Sequence, residues 1–516
     1  MTKKLIDYFK KFYKKKESRN LVLIERFDYI PSLVNYALLS NVLSDVHDAK
    51  IISYYPNSTN FLKLFYQKFK GIFKNKNIDY LYESFGSAGI VKPKINKNKN
   101  REIKFKNKLS VQNFKFKNIL IGDLMYDEYL RSKSRITINL NDMEFKQHVS
   151  NTLNLFDFWY NYILNNPVKA MVISHSVYNM GIVSRIAIKF NIPVYYTGPN
   201  GLYYLNNKYL TRHSKNIYKI YKKIFRRIDT KLKTKLLKIA KKNLNERFYG
   251  KKDIKLLLDR ETTNKSFTKK IKRKKISLKK SSPKKIKIFV AVHQLNDAVH
   301  AYGNCIFPDF YEWLNCLGEI SEKENFDWIL KIHPAEFKEN LIYFDFFKKK
   351  YPKFKFLKSS FSNSDIIEIE KPDVVTTVFG SGGHEFPLFG IPVVNASNNG
   401  PHIGYNFNYN SKSISEYINF IKKAKTLRVQ KAQVKKIYEF YVLRFMMEYT
   451  PIDNQDYYIK KYETKFMDNY VKIFLDQINE IKQNELYNEV KNFVKSKKFR
   501  IYYDKTKEKN KYLKNM

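Results

Sequence analysis

Cysteine is nearly absent from this chain, with only Cys305 and Cys316 among 516 residues. A pair eleven positions apart makes neither a disulfide framework nor a zinc knuckle, and such sparse use fits a reducing, cytoplasmic compartment. Long apolar runs are missing as well. No stretch reaches about 18 apolar residues, so a membrane-spanning helix is not expected. The opening residues, MTKKLIDYFKKFYKKKES, are basic and amphipathic but lack the apolar centre of a secretory signal. Zinc-finger and RRM signatures, a Walker loop, the G-x-G-x-x-G fingerprint, a D-x-D pair and a solenoid-length repeat are all absent.

What abounds is charge of one sign: 97 Lys and Arg against 48 Asp and Glu, a formal +49. Such an excess raises a polyanion as partner. The charge is spread along the chain together with Asn, Ile, Tyr and Phe, however, as an AT-rich coding bias produces, and nucleic acid is not expected. Peripheral contact with an anionic membrane is the second reading, since each basic residue near such a surface contributes about 1 kcal/mol. The basic helices at 1–16 and 216–242 are its candidates. With 43% apolar and 16% aromatic residues the chain can fill large cores, and its length calls for two of them.

The apolar pattern alternates strands with helices twice, which predicts an α/β fold built on two Rossmann-like parallel sheets. The divisions read as a basic N-terminal helix (1–17), a first α/β domain (18–213), a basic helical segment and linker (214–285), a second α/β domain (286–425) and a helical extension (426–516). Strands are expected at 21–24, in AKIISYY, at 118–121, 171–173 and 192–196. In the second domain they fall in KIKIFVAVH, FDWILKIHP, KFKFL, PDVVTTVF and PVVNAS.

Glycine is scarce, 16 in all, yet Gly380, Gly382 and Gly383 fall together with Ser381, His384 and Glu385 directly after a strand. Ligands of open α/β sheets bind beyond the carboxyl ends of strands. Glycines there let backbone N–H groups approach a phosphate, and the helix that follows, roughly 384–389, would aim its positive end at the same spot. Ser381 can add a hydroxyl and Glu385 can accept from a ribose. The plain alternative is a tight turn with Glu385 serving the helix dipole. Two other strands deliver polar groups to the same edge: His333, Pro334 and Glu336 after one, and His293, Asp297 and His300 after another. His333 can donate to a phosphate oxygen while Pro334 fixes the turn.

The stretches VAVHQLNDAVHAYGNCIFPDFYEWL, WILKIHPAEF and VVTTVFGSGGHEFPLFGIPVV resemble GT-B glycosyltransferases, and within them the capsule-polysaccharide group related to Kdo transferases. IGDLMYDEYLR and the strand–helix–strand around ISHS match more loosely. The resemblance implies a nucleotide-sugar donor, a polysaccharide or glycolipid acceptor, no metal and no further cofactor. Carried over, His333 and Ser381–Gly383 meet the donor phosphate and Glu385 the ribose. The turn here is Gly-Ser-Gly-Gly, where CMP-dependent relatives often carry Ser-Ser. That leaves CMP- and UDP-linked donors both open, along with a UDP-sugar 2-epimerase and a CDP-glycerol-type transferase. A basic nucleic-acid- or membrane-surface-binding protein without catalysis is the reading of another class. For the base that takes the acceptor's proton the candidates are Asp123, Glu25 and His175. Asp123 stands first because it follows an expected strand and Gly122, with a helix N-cap as its plain alternative. Arg26 would hold an acidic group or make an ordinary ion pair.

Overall fold

Strand β1, Leu21–Glu25, reads LVLIE and is buried along its whole length, as a strand covered on both faces must be. The computed structural model describes residues 2–27, 30–57, 78–95, 100–197, 202–250, 267, 285–333, 336–358, 360–447 and 483–499. In the first sheet β1 pairs in parallel with β2 (Lys50–Tyr54) and with a strand far along the chain. Numbering β3 as Ser87–Val91, β4 and β5 as Lys115–Phe116 and Ile119–Leu120, β6 as Val168–Ile173, β7 as Val194–Thr197 and β8 as Leu202–Leu205, its order is β3-β2-β1-β6-β7-β8. Only the last pairing is antiparallel.

The second sheet is parallel throughout. Its strands are β9 (Lys287–Ala291), β10 (Asp327–Lys331), β11 (Phe354–Leu357), β12 (Val374–Thr377), β13 (Val393–Asn395) and β14 (Tyr409–Asn410), ordered β11-β10-β9-β12-β13-β14. The two-sheet α/β plan expected from the alternation is therefore present. Strand order reverses between β1 and β6 and again between β9 and β12, which opens a crevice at the carboxyl ends of each pair.

One expected strand is displaced. Residues 118–121 do not join the first sheet; β5 forms a two-residue antiparallel hairpin with β4 instead. The run ILIG is apolar because it packs beneath the helix that follows, not because it is a central strand. Gly122 starts that helix where a Cβ would lie 1.8 Å from the Val111 carbonyl oxygen, so close packing explains the glycine.

The helices, α1 (Thr2–Phe12), α2 (Ile30–His47), α3 (Gly122–Ser132), α4 (Met143–Asn165), α5 (Met180–Lys189), α6 (Lys215–Arg226), α7 (Thr230–Phe248), α8 (Phe310–Lys323), α9 (Leu341–Lys350), α10 (Lys431–Tyr441) and α11 (Gln483–Ser496), cover the sheets. α6 and α7 bury Ile217, Tyr218, Tyr221, Phe225, Leu236 and Leu244 in one cluster with Ile437 and Phe440 of α10. The basic helical part of 214–285 is thus packed helix; most of the stretch expected as a solvated linker, from 267 onward, lies outside the described residues, as do 251–266. α11 returns to the first sheet and buries Val490, Phe493 and Val494 beside α2.

α3 holds the two bodies together. Tyr126 donates to Asp309 at 2.5 Å. Asp127 accepts from the backbone N–H of His300 at 3.0 Å and faces its Nδ1 at 2.7 Å. No helix among the described residues is long and apolar enough to cross a membrane.

Candidate active site

On the first sheet the crevice lies between β1 and β6. Glu25 ends β1 fully buried, with Oε2 accepting from the Ser174 backbone N–H at 2.9 Å and Oε1 accepting from the Ser174 hydroxyl at 2.7 Å. Ser174 Oγ also stands 2.7 Å from His175 Nδ1. Because the hydroxyl proton goes to Glu25, Oγ accepts from Nδ1–H, and His175 keeps Nε2 as a free acceptor. Burial pushes the Glu25 carboxyl up to about 7, against the lowering effect of its Ser174 hydrogen bonds. Burial also pushes the His175 imidazole down to about 4, with Arg212 lowering it further and Asp297 opposing. His175 is therefore neutral near pH 7 and joined through one hydroxyl to a carboxylate poised there.

On the second sheet the crevice lies between β9 and β12. His293 follows β9; its Nε2 accepts from the Phe379 N–H at 3.3 Å and lies 3.1 Å from the Thr377 hydroxyl. That contact puts its proton on Nδ1. The ring stacks on Phe310, and burial pushes it down to about 3, with neighbouring His333 acting in the same direction.

The two crevices meet. Tyr178, past the end of β6, donates to Asp297, past the end of β9, at 2.9 Å. The loop carrying Asp297 also holds buried Gln294 Nε2, Asn296 Oδ1 and His300 Nε2, none with a hydrogen-bond partner among the described residues. Buried polar atoms of this kind are normally satisfied by water or ligand.

The glycine-rich turn departs from its expected form. The helix after β12 is short, Gly382–Glu385, and passes directly into a 3₁₀ turn at Phe386–Phe389. The N–H groups of Gly383, His384 and Glu385 are already bonded to the Gly380 and Ser381 carbonyls. Ser381 is exposed at the rim, and Gly380 sits over the His293 ring. Gly383 faces inward, where a Cβ would lie 2.4 Å from His402 Cε1. His402 is packed against Phe407 and Phe440 and has no room to retreat. Gly383→Ala should therefore cost about 1–3 kcal/mol in urea denaturation. Nucleotide affinity should stay unchanged, because packing rather than a phosphate explains this glycine.

Glu385 is fully buried and does not wait open for a ribose. Its Oε1 accepts from Arg247 Nε at 2.9 Å and from Arg247 Nη2 at 2.6 Å, and Oε2 accepts from Asn363 at 3.3 Å. Lys331, at the end of β10, belongs to the same cluster. Burial pushes its amine down to about 8, with Glu385 and Asp365 opposing. Neither cation was expected. Arg247 lies 138 positions from its partner, which no local pattern reveals. Lys331 could have been seen as a lysine ending an apolar strand two positions before His333 of the His-Pro turn.

Asp123 is corrected. Both its oxygens bind Arg185, at 2.5 and 2.7 Å, and it is 1% exposed, so it cannot take a substrate proton. Glu336 accepts from the N–H groups of Leu295 and Phe337 and from Asn340, pinning the loop instead of facing a donor. His300 is sealed against Asp127; burial alone would lower its pKa, but the carboxylate more than offsets that. Arg26 makes an ion pair with Asp79 beneath Tyr55 and Tyr82, the ordinary role. His333 stands at the mouth beside His293, and Pro334 lies outside the described residues. Among the described residues no three His, Cys, Asp or Glu side chains converge as metal ligands.

No protein-family model matches the chain, and no curated protein matches it. Solved structures similar to it include the KpsC beta-Kdo 2,4-transferase of Thermosulfurimonas dismutans, at 11% identity and TM-score 0.29 over 53% of this chain and 79% of that one. The UDP-GlcNAc 2-epimerase of Neisseria meningitidis follows at 9% and 0.23, over 85% and 98%. MurG of Acinetobacter baumannii stands at 8% and 0.25, over 83% and 95%. At such scores the likeness adds nothing to what the two sheets show by themselves.

Proposed function

We propose that the protein is a glycosyltransferase that moves a sugar from a nucleotide-linked donor to a hydroxyl of a cell-surface polysaccharide or its lipid-linked precursor. One observation carries the reading: the carboxyl-end crevices of the two sheets meet, with a relay ending in neutral His175 on one side and His293, His333 and Lys331 on the other.

In the proposed reaction His175 Nε2 takes the acceptor hydroxyl's proton as the new glycosidic bond forms. Nδ1–H passes its proton to Ser174 Oγ, whose own proton goes to Glu25. Glu25 ends neutral and the imidazole stays uncharged. Glu25 does not touch substrate; it is the terminal proton acceptor, and its pKa of about 7 suits that task. The donor's phosphate leaves toward the Lys331 amine and the His333 ring at the end of β10, whose N–H groups stabilise it as it departs. Arg247 stays on Glu385 and holds that carboxylate in place.

The test is a thermal-shift panel with CMP, CDP, UDP, GDP and a short oligonucleotide at two salt concentrations. A ligand at about 100 times its Kd should stabilise the fold by about 2.7 kcal/mol. Stabilisation by one mononucleotide, weakened in Lys331→Ala and little changed by salt, is the expected result. CMP would point to an acidic sugar donor, UDP to hexosyl transfer or epimerisation, and CDP to a glycerol phosphate. A response to the oligonucleotide alone, abolished by salt, would overturn the transferase reading.

A further inference from the structure

We propose that helix α9 is the surface by which the protein seats on an anionic lipid leaflet, its outward apolar side chains entering the headgroup layer between lysines. Its purpose rests on the membrane-borne acceptor of the transfer reading, while its test needs no nucleotide.

The basic helices singled out in the sequence do not have the means. α1 turns Leu5 and Phe9 inward, the latter against Phe85. α6 and α7 spend their apolar faces on the cluster with α10, which leaves them almost only lysine and arginine outside. Such faces adsorb by charge alone. α9 is different. It turns Phe344 and Phe347 inward, yet Leu341, Ile342 and Phe346 are 43%, 56% and 60% exposed. Ile342 and Phe346 are i,i+4 neighbours on one face. Exposed Lys348, Lys349 and Lys350 follow them, with Asp345 the only acid on the helix.

Single exposed apolar residues need no explanation, but three on ten residues of one helix do. An apolar tip flanked by lysines is the composition of a helix that lies in a membrane interface. Charge complementarity selects an anionic leaflet over a neutral one. A second feature agrees. Tyr343, Phe346 and Lys350 of α9 face Tyr129 and Arg135 of the first body across a cavity of about 550 Å³. Seating α9 would hold that cavity at headgroup level.

The experiment places one tryptophan in the full chain, as Phe346→Trp or, for comparison, as Ile220→Trp on α6. Trp159, Trp313 and Trp328 are at most 1% exposed and give a fixed background. Vesicles of about 30% phosphatidylglycerol in phosphatidylcholine, brominated on the acyl chains, report insertion rather than adsorption. The expected result is strong quenching in Phe346→Trp, none in Ile220→Trp, and none on phosphatidylcholine alone. The double variant Ile342→Ser/Phe346→Ser should lower vesicle partition about tenfold with an unchanged melting temperature. Absent quenching in Phe346→Trp, equal quenching at both positions, or burial of α9 in a dimer that persists with vesicles would each overturn the proposal.

Discussion

Replacing His175 by alanine should lower turnover about a hundred- to ten-thousand-fold while nucleotide-induced stabilisation stays intact, the range expected for a lost general base. Glu25→Gln should fall in the same range, because the amide cannot accept the relayed proton. A pH profile separates this role from a structural one. In the wild type kcat/KM should rise through a pKa near 7, the value to which burial pushes Glu25. Glu25→Gln should flatten that limb. Equal nucleotide responses with an unmoved limb would mean that the relay is not used. Stability carries the opposite sign. Glu25 goes from 4.5 in a free carboxyl to about 7 in the fold, so the native state holds an extra proton between those values. Its contribution is complete below pH 4.5 and is lost as the pH rises through 7, on the order of 3 kcal/mol. Glu128, also pushed by burial to about 7, adds a slope of the same sign, so the readout is the difference in urea denaturation between wild type and Glu25→Gln.

Arg185→Ala should destabilise the fold by about 3–5 kcal/mol, because it leaves the Asp123 carboxylate buried without its partner. Arg185 is 5% exposed and also donates to the Leu120 carbonyl at 2.8 Å, so no water can replace it cheaply. Asp123→Ala should cost a similar amount, and the double variant Asp123→Leu/Arg185→Met should recover most of the loss. Denaturation midpoints measure all three. The series also decides the role of Asp123. A catalytic base would give a stable, inactive Asp123→Asn, whereas here activity should fall only as far as folding does.

The strands flanking both crevices were legible because each is a short apolar run ending at a polar residue: LVLIE before Arg26, MVI before Ser174, IFVA before His293, VVTT before the glycine turn. The edges were not. β3 reads SAGIV and β14 is two residues, too short or too mixed for periodicity to mark. FKNILIG failed for a different reason, since burial beneath a helix and burial in a sheet write the same apolar run. In the site, His175, His293 and Glu25 could be named because they directly follow or end strands. Their chemistry could not be assigned, because it depends on partners that only folding supplies. Ser174 links Glu25 to His175 across 149 positions, Arg247 meets Glu385 across 138, and Arg185 meets Asp123 across 62.

The return of α11 to the first sheet has a mechanical consequence. The chain leaves that body before α6 and comes home to α2 at its far end, so the two bodies share two covalent tethers. Parting the two bodies at the crevice also means breaking the contacts of Asp127 with the His300 backbone N–H and Nδ1. The first body cannot be cut out at residue 214 as an independent piece: without α11 it would bare the surface that Val490, Phe493 and Val494 now cover.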